Sequence, residues 1–314
     1  MKNTQYIGSL AISLFAASLL SGNAMAEKLQ LASGIQEQTY RGNDDLLTAG
    51  LGAKGLRSPL APAFANVENP SAEELRRRAV WNNWRGIADL SPGGGFGEFY
   101  GSLEPVPGRE YHALAILHGA KYPHRVMLQL PDNFDRKKAC VVVSASSGSR
   151  GIYGAIALAG GWGLPHGCAV AYTDKGAGTD YLDTAEDTTD NKNAAYSATK
   201  YSGDGIAPIA VKHANSGDNP EADWGRHVHQ AAEFALLVLN NAYPDSSPFT
   251  YSNTHIIAVG VSNGGGAVLR AAETKDKVFD GVVAISPNIW SDKSGGRALY
   301  DYSTDAALWM PCAL

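Results

Sequence analysis

The motif Gly-Val-Ser-Asn-Gly at residues 260–264 constrains this chain more than any other segment. The residues before it, 255–260, are apolar and partly β-branched, which is typical of a buried strand, and the residues after it are compatible with a helix. A serine between a buried strand and a helix must lie in a tight turn, and its flanking glycines avoid collisions that a Cβ would make there. The segment therefore predicts a strand, turn and helix unit with Ser262 at the turn.

Short apolar runs alternate with glycine-rich turns and helical stretches from about residue 106 onward, the order expected of a parallel sheet with crossover helices. Strands are predicted at 125–130, 139–143, 169–173, 255–260 and 281–285, and a helix with one apolar face is predicted at 224–240. The polar segment at about 174–223 predicts a loop-rich insertion over the sheet edge, where substrate-covering loops usually lie. The fold class is α/β, as an α/β-hydrolase-like domain over 106–314 whose mostly parallel sheet is expected to be incomplete at the C-terminus.

Residues 27–105 form an N-terminal extension with few strand-like runs. A charged stretch at 72–84 predicts an amphipathic helix, with Arg76, Arg77 and Arg78 expected to be solvated. The glycine-rich stretch at 92–97 lacks the phosphate-binding pattern and no clear strand precedes it, so it is interpreted as an ordinary loop.

The first 26 residues have the layout of a secretory signal peptide, with Lys2, an apolar run at 7–20 and the small residues 24–26. The apolar run is about 14 residues long, whereas a membrane span needs roughly 20. We therefore expect cleavage after Ala26 and a secreted, extracellular protein without a membrane span, with the periplasm as the alternative.

Charge and cysteine content exclude two classes of partner. Without Lys2 the chain has 25 basic against 31 acidic residues and no basic run, which argues against nucleic acid. Cys140, Cys168 and Cys312 lie far apart and none has the spacing of a zinc site, so neither a metal nor a cofactor is expected. One disulfide with an odd thiol, or a buried free thiol at Cys140, both remain open.

The turn at Ser262 has the chemistry of an acyl-transfer nucleophile. The start of the following helix offers the Asn263 amide and a positive dipole to the oxyanion of the intermediate. A second donor is expected from the small-residue loop after the strand at 139–143, with Ser147, or its neighbour Gly148, as the candidate.

Three segments carry a family resemblance: 141–154 (VVVSASSGSRGIYG), 171–180 (AYTDKGAGTD) and 257–270 around Ser262. They resemble the secreted bacterial D-(-)-3-hydroxybutyrate oligomer hydrolases. The resemblance implies hydrolysis of ester bonds in short 3-hydroxybutyrate oligomers, downstream of a poly(3-hydroxybutyrate) depolymerase, with Ser262 as the active-site serine.

The base of such a triad is not evident, because in α/β-hydrolases the acid and histidine follow the serine and the last histidine here is His255. Family members are about twice as long, so we expect the acid and histidine beyond residue 314 and weak activity and marginal stability of this chain alone. An upstream histidine is the alternative; the candidates are His112, His118, His124, His166 and His213. Asp301 and Asp305 are expected in a loop or lid rather than in the triad.

Two other functions fit the same motif. A feruloyl-esterase or tannase type of carboxylesterase uses this turn on aromatic esters, and substrate choice depends on the lid rather than on the fold. An inactive secreted remnant, which keeps the sheet but lacks the triad histidine, is the alternative outside the enzymes.

Overall fold

The computed structural model describes residues 28–148, 150–176, 181–183, 209–211, 217–246, 248–274, 277–289 and 299–313. Residues 1–27, with the expected signal peptide, lie outside this range, as do His213 and most of the insertion at 174–223. The strands are β1 (Gln36–Tyr40), β2 (Gly108–Ala115), β3 (His124–Pro131), β4 (Cys140–Ala145), β5 (Ala169–Thr173), β6 (Tyr181–Asp183), β7 (Ile209–Val211), β8 (His255–Val261) and β9 (Gly281–Ile285).

Seven of these strands form one sheet in the order β1-β2-β3-β5-β4-β8-β9, and β6 pairs with β7 in the insertion. Strands β4, β5, β8 and β9 pair in parallel, whereas β1, β2 and β3 join through antiparallel pairings. Five strands therefore run in one direction and only β1 and β3 run against them. This mixed, mostly parallel sheet with crossover helices confirms the α/β-hydrolase-like fold class.

Helices cover both faces of the sheet. They are α1 (Gly52–Arg57), α2 (Ala72–Trp84), a π-helical turn (Ile156–Gly160) continued by α3 (Gly161–Gly163), α4 (Trp224–Ala242), α5 (Asn263–Ala272) and α6 (Leu299–Ala313). Within the described residues, no helix is both long and apolar enough to span a membrane. Asp301 and Asp305 lie inside α6, which corrects the expected loop, because the helix already begins at Leu299.

Successive side chains of the central strands point to opposite faces of the sheet, and each face carries its own hydrophobic core. Val141 and Val143 of β4 face a core completed by α4 and α5. Val142, between them, faces the other core, which contains Leu47 and Trp84 from the N-terminal extension. A strand buried on both faces is apolar throughout, which explains why β4 was visible in the sequence.

The N-terminal extension is part of the same sheet. Strand β1 adds to the edge of β2, and its residues, Gln-Glu-Gln-Thr-Tyr, are mostly exposed. Helix α2 spans the predicted residues and begins with a capping box in which Ser71 and Glu74 bind each other's backbone amides. The extension is thus packed against the sheet, although the proposed domain boundary at 105 stays a prediction.

The expectation that Arg76 is solvated was wrong. Its side chain is 1% exposed, and Nη2 donates to Glu110 Oε1 at 2.8 Å while Nη1 donates to Asp44 Oδ1 at 2.8 Å. The guanidinium also lies 3.6 Å from the centre of the Tyr40 ring. Arg77 and Arg78 are half-buried and donate to backbone carbonyls instead.

Glu110 is fully buried on β2 and is the centre of this polar cluster. Besides Arg76 it accepts hydrogen bonds from Gln129 Nε2 (2.8 Å) and from the Tyr153 hydroxyl (2.7 Å). Burial alone would raise the pKa of the Glu110 carboxyl, but Arg76 and His112 hold it below its ordinary value. Glu110 therefore stays ionised and joins β2, β3 and α2.

A disulfide joins Cys140, the first residue of β4, to Cys168, just before β5. The sequence left open either one disulfide with an odd thiol or a buried free thiol at Cys140. The structure has the disulfide, and Cys312 is free and exposed. The bridge lies at the amino ends of two adjacent parallel strands.

Replacing Arg76 with Met is expected to lower the free energy of unfolding by about 3–5 kcal/mol, because it leaves the Glu110 carboxylate buried without its cation. Arg77→Met, on the same helix, is the matched control and should cost less than about 1.5 kcal/mol, the value of one hydrogen bond. Urea unfolding followed by circular dichroism measures both. If the free energy of unfolding fell equally in the two variants, the Arg76 ion pair would contribute no more to stability than the hydrogen bond of Arg77.

Stability should also fall with acid through Glu110. Its folded pKa is lowered, so its contribution is complete above the ordinary carboxyl pKa near 4.5 and is lost as pH falls below it. We expect the slope of unfolding free energy against pH, measured between about pH 5 and 3, to be smaller in Glu110→Gln than in the unaltered chain. Parallel curves would contradict this.

Candidate active site

The loops that follow β4, β5, β8 and β9 meet at one edge of the sheet, because parallel strands end at the same side. The connection after β4 passes to the face that carries α2, whereas the helix after β8 packs on the opposite face. Adjacent strands whose connections leave in opposite directions open a crevice between them, and α/β proteins bind ligands there. The predicted site residues lie at this crevice.

Ser262 occupies the turn between β8 and α5, as the motif predicted. Its backbone has φ 82° and ψ −115°, a conformation that residues other than glycine rarely adopt. The turn is held on both sides, since the Ser262 amide donates to Ile285 O (3.0 Å) and its carbonyl accepts from the amides of Gly266 (3.0 Å) and Asn288 (3.1 Å). Strain of this kind persists only where the surrounding structure fixes it, and it is common at functional sites.

The glycines around Ser262 allow close backbone contacts. A Cβ on Gly260 would collide with the Gly264 carbonyl, and one on Gly264 would collide with the carbonyl of Ala145 at the end of β4. Helix α5 can therefore begin directly against β4 and β8. This brings the amide of Asn263 next to the loop that follows β4.

That loop lies against the start of α5. A Cβ added to Gly148 would lie 2.5 Å from Asn263 Oδ1, so the two segments are in direct contact. Ser147 is buried, with 8% of its surface exposed. The geometry brings together Ser262, Asn263, Ser147 and Gly148 as expected, while their roles in an oxyanion site stay predictions.

Two buried charged residues of the site were missed by the sequence reasoning, Asp174 and Lys175 after β5. Asp174 Oδ1 accepts from the amides of Arg125 (3.0 Å) and Gly176 (2.9 Å). Lys175 is 1% exposed, and its ammonium binds the Ser146 carbonyl and, at 2.9 Å, the Ser146 hydroxyl. Both residues lie in the segment 171–180 singled out above, but a sequence does not show that the lysine turns inward.

Arg150 connects the same loop to the N-terminal extension. Its guanidinium donates to the carbonyls of Asn82 (3.1 Å), Asn83 (3.3 Å) and Arg85 (2.8 Å) at the end of α2. A cation at a helix C-terminus binds carbonyls that lack helical partners. Burial lowers the pKa of the Arg150 guanidinium without discharging it.

Four histidines of the described residues lie away from Ser262 or bind other groups, and His118 is exposed in the turn after β2. His255 begins β8, at the opposite end of the strand from the serine. Both ring nitrogens of buried His124 have partners, Thr173 Oγ1 (3.1 Å) and Gln230 Oε1 (2.7 Å). His112 pairs with Glu110, and His166 binds the Trp162 carbonyl.

Within the part of the chain that the structure describes, no side chain forms a hydrogen bond with the Ser262 hydroxyl. Nor does any group of three or more His, Cys, Asp or Glu residues in that part have an arrangement that would hold a metal ion. The described site therefore offers a strained serine beside the backbone amides at the start of α5.

Comparison with known proteins gives one family. The family model described as 3HB-oligomer hydrolase matches residues 16–314. The D-(-)-3-hydroxybutyrate oligomer hydrolase of Polaromonas naphthalenivorans is 38% identical over 99% of this chain and 52% of its own length. That of Paraburkholderia xenovorans is 39% identical over 90% of this chain and 47% of its own length. This chain thus spans about half the length of the curated relatives it matches.

Solved structures give weaker similarities. A tannin acyl hydrolase from Aspergillus niger has a TM-score of 0.39 at 10% identity, covering 83% of this chain and 33% of that one. An acetyl xylan esterase from Thermoanaerobacterium has a TM-score of 0.30 at 15% identity, covering 64% of this chain and 56% of that one. Both TM-scores are below 0.5, so the strand order carries the fold assignment.

The strain at Ser262 predicts a difference in stability between two variants at this position. Ser262→Gly removes the Cβ that makes the conformation costly, whereas Ser262→Ala keeps it. We expect the free energy of unfolding of the glycine variant to be about 1 kcal/mol higher than that of the alanine variant. This holds despite the greater freedom of glycine in the unfolded chain. Chemical denaturation of the pair measures this, and a more stable alanine variant would show that the turn is unstrained.

Proposed function

This chain belongs to the 3HB-oligomer hydrolase family, and on this premise we propose that it hydrolyses the ester bonds of D-3-hydroxybutyrate oligomers by acyl-enzyme chemistry at Ser262. The observation that carries the proposal is the strained turn between β8 and α5, which presents the Ser262 hydroxyl at the crevice beside the loop after β4. The substrate is a small ester, and its products are shorter oligomers and 3-hydroxybutyrate.

In the proposed reaction the Ser262 hydroxyl attacks the ester carbonyl and the alcohol end of the oligomer leaves. The Asn263 amide, which opens α5 and has no carbonyl partner within the helix, and an amide of the loop at Ser147 stabilise the oxyanion. Water then releases the acyl group. Donors aimed at the developing charge are usually the largest single contribution in such reactions.

A base must take the proton of Ser262, because a serine hydroxyl alone is a weak nucleophile. We place that base and its acid outside the described residues, as the chain order of triads in α/β-hydrolases implies. This is supported by His255, which lies at the far end of β8, and by His124, whose ring nitrogens both have other partners. His213, which lies outside the described residues, remains a candidate for this base.

We also propose export, with signal cleavage after Ala26. The layout of residues 1–26 motivates this, and the Cys140–Cys168 bridge supports it, since stable disulfides are typical of oxidising compartments outside the cytoplasm.

In the full-length protein, Ser262→Ala is expected to abolish release of 3-hydroxybutyrate from its dimer and trimer, since loss of a triad serine costs on the order of 10⁶ in rate. Ser252→Ala, an exposed serine before β8, is the matched control and should keep full turnover. Circular dichroism checks the fold of both variants. Equal turnover by the Ser262→Ala variant and the unaltered full-length protein would contradict the assignment. Faster hydrolysis of feruloyl or galloyl esters than of the dimer would favour the aromatic-ester alternative.

N-terminal sequencing tests the export proposal. Material collected outside the cells that produce it should begin at Glu27, because the small residues 24–26 form the cleavage signal. Ala26→Arg is expected to block processing and retain the protein in the cells. Exported protein that still begins at Met1 would contradict the proposal.

A further inference from the structure

Lys175 is a buried cation whose position the proposed chemistry does not yet explain. Its ammonium lies under the loop after β4, bound to the Ser146 carbonyl and hydroxyl and 3.4 Å from the Ser147 carbonyl. On its other side it lies 5.5 Å from the centre of the Trp224 ring of α4. An ammonium is costly to bury, so it must gain these interactions to stay charged there.

The direction of those two carbonyls determines the direction of two amides. In a trans peptide the C=O and the following N–H point opposite ways, and the described residues contain no cis peptide. Since the Ser146 and Ser147 carbonyls face Lys175, the amides of Ser147 and Gly148 face away from it. A Cβ on Gly148 would meet the Asn263 side chain, so this part of the loop lies beside the start of α5, next to Ser262.

The backbone conformation of Lys175 also indicates that its side chain makes a specific contact. Its φ is 61°, in the left-handed region that favours glycine or asparagine. The turn is held by Thr173 Oγ1, which accepts from the Lys175 amide at 3.1 Å, and by Asp174 Oδ1, which accepts from the Gly176 amide. A long cationic side chain at such a position is unfavourable unless its far end makes a specific contact.

We propose that Lys175 is a positioning residue, which holds the Ser146–Ser147 carbonyls so that the amides of Ser147 and Gly148 point at the oxyanion of the Ser262 intermediate. This proposal rests on the proposed function. It assigns the second oxyanion donor to the loop after β4, whose orientation is fixed by a lysine that follows β5. Lys175 itself does not touch the substrate.

The charged and titratable groups around Lys175 come from three elements. Asp174 is its neighbour in the chain, His124 of β3 shares Thr173 with it, and His227 of α4 stacks on His124 with 4.4 Å between ring centres. Burial lowers the pKa of Lys175 to about 8, and Asp174 opposes this shift. Carboxyl and imidazole groups ordinarily titrate well below pH 8, so a change near pH 8 is separable from theirs.

The first test compares Lys175→Met with Lys137→Met, an exposed lysine before β4 at the opposite edge of the sheet. Both variants and the unaltered chain are studied within the full-length protein. With 3-hydroxybutyrate dimer as substrate, kcat of the Lys175→Met variant should fall about 10²-fold, as for loss of one oxyanion donor, while KM changes less than about threefold. The Lys137→Met variant should match the unaltered chain in both. A Lys175→Met variant with unchanged kcat overturns the proposal, as does one in which only KM rises.

The pH dependence gives a signature that a merely structural lysine lacks. As pH rises through about 8, Lys175 loses its proton and its hold on the loop, so kcat should fall. Over the same range stability should rise, because the unfolded chain binds more protons than the folded one when a lysine pKa is lowered. Both trends should be absent in Lys175→Met. Identical kcat–pH profiles of the unaltered chain and Lys175→Met would overturn the proposal.

Amide hydrogen exchange separates this proposal from the function it rests on. If the unaltered full-length protein is no more active than its Ser262→Ala variant, the proposed function fails, and the exchange measurement alone tests the role of Lys175. Exchange at Ser147 and Gly148 should be at least tenfold faster in Lys175→Met than in Lys137→Met, with the central strands unchanged. Equal exchange in the two variants would overturn the positioning role, whatever the activity.

Discussion

The buried ion pair between Arg76 and Glu110 holds the N-terminal extension to the sheet. Glu110 lies on β2 with no exposure to water, so its carboxylate is stable there because α2 supplies the guanidinium. Once α2 is docked, its last carbonyls receive Arg150, which belongs to the loop after β4. The extension thus connects, through one helix, to the loop that lies beside Ser262.

The same loop is also bound by Lys175, so two cations fix it: Arg150, which belongs to the loop, binds carbonyls of α2, and Lys175 binds carbonyls of the loop. Arg150 holds it against the end of α2, and Lys175 holds it against β5. An oxyanion site depends on amides that do not reorient when charge develops. Fixing the carbonyls on the reverse side achieves this without placing any side chain in the crevice.

The unit around Ser262 was predictable because its signals are local: an apolar β-branched strand, closely spaced glycines and a helix start. Central strands such as β4 were predictable for the same reason, since both of their faces are buried. Strand β1 was not, because an exposed edge strand of polar residues has no apolar pattern. Arg76 and Lys175 were misjudged or missed because their partners lie 34 and 29 residues away, and only the folded chain brings them together.

The Cys140–Cys168 bridge has a consequence for where the chain can fold. It closes a loop of 28 residues, which in the chain-entropy account destabilises the unfolded ensemble by about 3.5 kcal/mol at room temperature. Since domains are stabilised by only about 5–15 kcal/mol in total, this is a large share. A newly made chain with reduced thiols would therefore spend more time unfolded than the same chain after oxidation, so that the folded population follows the redox state of the compartment rather than the sequence alone.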